Sequence, residues 1–158
     1  MSLRLRRVVT GHDDQGRAVV KIDEIANNVK SRRQGVSAAV IWSTDSFPAV
    51  NEGDVDQALR PTETTLRDGT VFRVARYEPG VAPRPHRTNS IDYAVVLSGE
   101  IEMELDNETV RMKAGDVLVQ RGTMHNWVNR GKEAAIVAFV LVAAKPVTVD
   151  DKTLHAEG

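Results

Sequence analysis

The 158-residue sequence contains no cysteine, which excludes a disulfide framework, a thiolate metal site and a thiol nucleophile. Any metal must therefore be held by nitrogen and oxygen. Neither sign of charge is in excess, since 21 Lys and Arg stand against 22 Asp and Glu. No polybasic block offers itself to a phosphate backbone, so no nucleic-acid partner is expected. No apolar run approaches the roughly 20 residues that cross a bilayer, and the stretch from Met1 to Thr10 lacks the apolar core of a signal peptide. No membrane partner is expected, and the default address is cytoplasmic. There is no internal repeat, low-complexity segment or helix-turn-helix segment, which argues against a complete transcription regulator. What is present, 41% hydrophobic residues in a chain of this length, suits one domain that buries its own core.

The second half reads as β-structure. Glu100 to Leu105 and Thr109 to Lys113 alternate strictly between polar and apolar residues, the period of a half-buried strand. Asp106-Asn107 between them suits a two-residue hairpin turn, because both residues tolerate positive φ. Glycine-punctuated segments on either side, Tyr93 to Leu97 and Val117 to Gln120, extend the series into an antiparallel meander. Ala134 to Val142 is an unbroken apolar run rich in Val, Ile and Phe, which predicts a strand covered on both faces, with a buried helix as the alternative. Upstream, Leu3–Thr10, Arg17–Ile22, Ser37–Trp42 and Val71–Tyr77 are further strand candidates, and Asp54 to Leu59 is the best helix candidate. Many short strands with turn residues between them indicate a sandwich or barrel.

Two glycine-punctuated histidine segments stand out. The first is Gly80-Val-Ala-Pro-Arg84-Pro-His86-Arg-Thr88-Asn-Ser-Ile-Asp92-Tyr-Ala-Val-Val-Leu-Ser-Gly99, and the second runs from Gly115 through Gln120-Arg-Gly122-Thr-Met-His125-Asn-Trp127-Val-Asn129. They resemble the two signature motifs of the cupin superfamily. In a metal-binding cupin the first motif reads glycine, five residues, histidine, one residue, histidine, three or four residues, glutamate, six residues, glycine. Here Gly80, His86 and Gly99 fall on that spacing, while Thr88 replaces the second histidine and Asp92 the glutamate. In the second motif Gln120 replaces a proline, and Gly122, His125 and Asn129 fit. The string from His86 to Leu105 looks like a subgroup of small bacterial and fungal cupins.

The resemblance implies an all-β fold, a double-stranded β-helix or jelly-roll barrel of the RmlC-like type, with N-terminal strands and at most a short helix. Residues 1–66 would form N-terminal strands packing on the barrel, 67–149 the cupin barrel, and 150–158 a flexible tail. Alternate side chains of a strand share a face, so Arg84, His86 and Thr88 would point into the barrel together, as would His125, Trp127 and Asn129. His86, Asp92 and His125 would then be the catalytic residues and, as two histidines and one carboxylate, a metal set for iron, zinc, manganese or nickel. Arg84, Thr88, Trp127 and Asn129 would line the substrate pocket. A neutral hydroxyl at Thr88 would leave a coordination position open. Asp is one methylene shorter than Glu, so a metal-free pocket stays open as the alternative.

The function this implies is a small-molecule enzyme, of isomerase, cyclase, decarboxylase or oxygenase type, in which a metal or a histidine–aspartate pair polarises a carbonyl and shuttles a proton. An oxo or aromatic acid as substrate would suit Trp127 and the flanking Arg84, Arg87 and Arg121. The alternative is a metal-free cupin module that binds a small ligand. The apolar strands Ala134–Val142 and Ser37–Trp42 predict a homodimer, because they offer more hydrophobic surface than one small barrel covers.

Overall fold

The computed structural model describes residues 2–158. Strands β1 (Arg6–His12) and β2 (Ala18–Ile25) form an N-terminal hairpin, and β3 (Lys30–Arg33), β4 (Val36–Thr44) and β5 (Thr70–Tyr77) follow. The meander comprises β6 (Ser90–Ser98), β7 (Glu100–Glu104), β8 (Thr109–Lys113), β9 (Val117–Arg121) and β10 (Asn126–Val128). Then come β11 (Ala135–Ala143) and the short β12 (Val147–Val149) and β13 (Lys152–Leu154). The helix candidate is one 3-10 turn, Gln57–Leu59, whose first free N–H groups are met by Asp56 accepting from the Ala58 N–H.

A six-stranded sheet in the order β3-β4-β5-β11-β6-β9 and a three-stranded sheet in the order β10-β7-β8 build the barrel. The all-β jelly-roll expectation holds. The chain passes between the two sheets at Gly99, whose φ of 72° and close approach to the Ala134 carbonyl, 2.6 Å from where a Cβ would stand, restrict the position to glycine. Inward residues Val71, Ala75, Val96 and Val137 of the large sheet pack with Ile101, Met103 and Met112 of the small one into a single core. Ala134–Val142 is confirmed as strand rather than helix: β11 is hydrogen-bonded to β5 on one side and β6 on the other.

The β7–β8 connection is the expected two-residue turn Asp106-Asn107: the register continues to Leu105 opposite Glu108, whose carbonyl accepts from the Leu105 N–H at 2.8 Å, although neither turn residue takes a positive φ. Two expectations change. The edge strand β3 escapes sequence inspection because Lys30-Ser-Arg-Arg33 has no apolar alternation; it is held by backbone pairing with β4. Residues 150–158, expected as a flexible tail, contribute β13 to a hairpin with β12, and Glu157 exchanges backbone hydrogen bonds with Arg87 at 2.8 and 3.0 Å. The N-terminal hairpin is anchored by Arg7, which is buried and paired with Glu24 and with Asp56 beside the 3-10 turn.

The outer face of the large sheet carries Tyr93, Val95 and Leu97 of β6 beside Val117 and Val119 of β9, all exposed. No helix among the described residues is long and apolar enough to cross a membrane.

Candidate functional site

The site begins with a pair of backbone hydrogen bonds. His86 and His125 face each other as an isolated antiparallel bridge, each N–H donating to the other's carbonyl at 3.0 Å. Directly opposed residues project to the same side with neighbouring Cβ atoms, so the two imidazoles meet with ring centroids 4.3 Å apart. Both are buried, at 7% and 3% exposure.

Each ring is tied back by one nitrogen. Nδ1 of His86 donates to Arg84 O at 2.8 Å, and Nδ1 of His125 donates to Thr123 O at 2.9 Å. A carbonyl oxygen can only accept, so Nδ1 carries the proton in both neutral rings and the Nε2 lone pair is left without a protein partner. The Gln120 amide, which stands where the motif usually has proline, donates to the same Thr123 carbonyl at 2.9 Å and braces that loop. Burial pushes His86 down to about 4, with the nearby His125, Arg84 and Arg33 adding to the shift, and lowers His125 as well. Both imidazoles are therefore neutral at pH 7, the form that accepts a proton or binds a metal.

Asp92 lies on β6 opposite Leu141 of β11 and points inward with Ala94 and Val96, as strand parity requires. Ser90 Oγ donates to Asp92 Oδ1 at 2.5 Å and is itself 2.8 Å from Thr88 Oγ1, so a chain of two buried hydroxyls ends on the carboxylate. Burial pushes Asp92 up to about 6; the Ser90 hydrogen bond and the charge of Arg73 oppose the shift without cancelling it.

These groups open into a cavity of about 930 Å³ whose wall includes Arg84, His86, Asp92, His125 and Trp127. Trp127 stands edge-on to His125 and to Phe139, with centroids 6.2 and 5.3 Å apart. Two residues placed in the pocket from sequence lie elsewhere. Thr88 is buried against Ser90, off the cavity wall. Asn129 is buried at 1% exposure and bonds only backbone, donating to Tyr77 O at 2.9 Å and Glu133 O at 2.8 Å and accepting from the Gly131 N–H at 2.9 Å. Parity with Trp127 fails there because β10 ends at Val128. Arg87, expected at the mouth, pairs with Glu157.

The donors fit a metal in part. Metal-binding histidines ordinarily have their second nitrogen fixed by a carbonyl or carboxylate, which is the state of both rings. The carboxylate of Asp92 is engaged by Ser90, and among the described residues no three His, Asp or Glu side chains converge as a ligand cluster.

Sequence inspection missed Arg73 and Arg33, which share this cavity. The signal for Arg73 was available, because it occupies an inward position of β5 between Val71 and Ala75.

The Cupin domain family model matches residues 73–142. The chain is 36% identical to "Cupin-domain-containing oxidoreductase fogC" of Aspergillus ruber, over 96% of this chain and 79% of that protein. It is 37% identical to "Phomopsin biosynthesis cluster protein C'" of Diaporthe leptostromiformis, over 94% and 83% of the two chains. Among solved structures, the Schizosaccharomyces pombe Cnp3 cupin domain superposes with a TM-score of 0.51 at 18% identity, covering 87% of each chain. That last likeness is one of fold alone.

Proposed function

The chain belongs to the cupin domain family, and on that premise we propose that it is a small-molecule enzyme working at His86, His125 and Asp92 on an oxo or aromatic acid. The observation that carries the reading is the cross-strand histidine pair, with each Nδ1 fixed to a carbonyl and each Nε2 free beside a large cavity. The oxidoreductase and biosynthesis-cluster names of the relatives support small-molecule chemistry.

At neutral pH an imidazole Nε2 accepts the proton from a carbon next to the substrate carbonyl. The protonated fraction of Asp92, whose ionisation lies at about 6, donates to the oxygen on which negative charge collects. The Thr88–Ser90 hydroxyl chain holds the Asp92 carboxyl in place. The expected result is deuterium incorporation next to the carbonyl of phenylpyruvate in D₂O, above the uncatalysed rate, seen by NMR and lost in Asp92→Asn and His125→Ala. Exchange at the same rate with wild type and both variants would refute the mechanism and leave the ligand-binding module as the better reading.

Metal dependence is the second reading, favoured by the fixed Nδ1 atoms. A divalent iron, zinc, manganese or nickel ion would be held by His86 and His125, with Asp92 joining only by leaving Ser90, and would supply Lewis acidity or, as iron, oxygen chemistry. Calorimetric titration with zinc and manganese should show binding that weakens about tenfold or more in His86→Ala and in His125→Ala. Heat of binding that is the same in wild type and both variants would rule it out.

For assembly and address we propose a cytoplasmic homodimer paired through the exposed β6 and β9 face, Tyr93, Val95, Leu97, Val117 and Val119. Five exposed apolar side chains on two neighbouring strands make a contiguous patch of the kind that self-association covers. Light scattering should return twice the chain mass of 17.4 kDa, and Leu97→Asp combined with Val119→Asp should halve it. A wild-type mass equal to one chain would end the proposal.

A further inference from the structure

The chain as a whole is nearly neutral, yet its cavity is not. Lys30, Arg32, Arg33, Arg60, Arg73 and Arg84 line it, against two carboxylates, Glu63 and Asp92. Arg60 is paired with Asp45 outside the wall. Arg33, Arg73 and Arg84 have no acidic partner among the described residues. Arg33 Nη1 donates to Ala82 O. Arg84 Nη2 donates to Thr64 Oγ1 and to Gly158 O at 3.3 and 3.0 Å. Arg73 Nη2 donates to Glu63 O and Thr64 O at 2.8 and 3.0 Å, while its Nε is buried with no acceptor at all. Asp92, the carboxylate within reach of their field, is hydrogen-bonded to Ser90 instead.

Arg33, Arg73 and Arg84 are half-buried, and a guanidinium drawn partly out of water is normally paired, because the lost hydration is costly unless an opposite charge and full hydrogen bonding replace it. Here burial depresses the proton affinity of Arg33 and Arg73, and Arg84 depresses both further. Arginine does not lose its proton in response; the unbalanced charge remains in the wall. Three cations with only neutral oxygen partners, one of them carrying a free buried N–H, are complementary to a planar oxyanion that accepts two parallel hydrogen bonds.

We infer that Arg73, with Arg33 and Arg84 beside it, forms a carboxylate subsite that anchors an organic acid and presents its uncharged remainder to His86, His125 and Trp127. Resting on the proposed function for its orientation, the subsite names the group by which the substrate is held and the strand, β5, that holds it. The remainder of the ligand is apolar or aromatic, because the wall beyond the arginines includes Ala75, Trp127, Phe139 and Leu141.

The test is calorimetric titration of the full chain with benzoate and with its neutral counterpart benzamide. Wild type should bind benzoate at least tenfold more tightly than benzamide. Arg73→Met should abolish that preference, Arg73→Lys should keep part of it, and Arg33→Met should reduce it severalfold. Circular dichroism melts confirm folding, and if Arg73→Met fails to fold, Arg73→Lys and Arg33→Met carry the comparison. His86→Ala should retain the benzoate preference within about threefold, so a chain without catalytic exchange but with this preference would lose the enzyme reading and keep the subsite. Equal affinity of wild type for the two probes, or an undiminished preference in the folded arginine variants, overturns the inference.

Discussion

Asn129→Ala is expected to lower the unfolding free energy by about 3 kcal/mol, which for a domain of this size lowers Tm by roughly 6–12 °C. The side chain is almost fully buried and makes three hydrogen bonds to backbone, two given and one received. Alanine removes the partner of the Tyr77 and Glu133 carbonyls and of the Gly131 N–H together, and so loosens the link between β5 and the turn into β11. Asn129→Asp keeps the acceptor but turns a carboxylate toward two carbonyl oxygens, so it should be at least as harmful. Urea denaturation gives the number. A loss below about 0.5 kcal/mol would mean that Asn129 is not structural, and its placement in the pocket would need to be restored.

Asn129 also shows what could and could not be seen in the sequence. Its type and spacing are those of the second cupin motif, and the side chain is buried and hydrogen-bonded to three backbone groups, but its role depends on where β10 ends, a fact set by backbone geometry. His86 and His125 were legible because each follows a glycine at motif spacing, and the fold brings them directly opposite. The meander was legible because Glu100 to Glu104 and Thr109 to Lys113 alternate as a half-buried hairpin must. Arg73 was legible only in part. Strand β5 was foreseen at Val71–Tyr77 and its parity turns Arg73 inward with Val71 and Ala75, but nothing in a single strand says which neighbours its inward arginine will meet. That follows from register, which sets Arg73 against Val40 on one side and Phe139 on the other. The polar strands β3 and β13 are held by backbone bonds rather than by an apolar face, so no hydrophobic period marks them.

Asp92 and His86 are expected to impose opposite pH dependences on stability, and single substitutions should uncover each one. Unfolded, Asp92 titrates near its ordinary value of about 3.9 and His86 near about 6.5. Folded, burial moves the first up to about 6 and the second down to about 4. Between these limits the folded state holds one more proton than the unfolded state at Asp92. Stability from this group is therefore full below pH 4 and is lost as pH rises toward 6. At His86 the folded state holds one proton fewer, so stability rises with pH from 4 to 6.5. The two contributions cover the same window with opposite signs and largely cancel in the wild type, with His125, also lowered by burial, tilting the balance toward higher stability at higher pH. The groups facing them, Arg73 toward Asp92 and Arg84 and Arg33 toward His86, stay charged throughout and add no slope of their own. Each contribution is on the order of 1–2 kcal/mol once screening by water in the cavity is allowed for. Urea titrations of metal-depleted protein from pH 4 to 7 should then show Asp92→Asn gaining stability steeply as pH rises, because the histidines act alone. His86→Gln should show a flat or falling profile, because Asp92 then opposes only His125. Parallel profiles for wild type and both variants would mean that neither group changes its ionisation on folding, and the neutral imidazoles and poised carboxyl on which the proposed proton transfer depends would be lost with them.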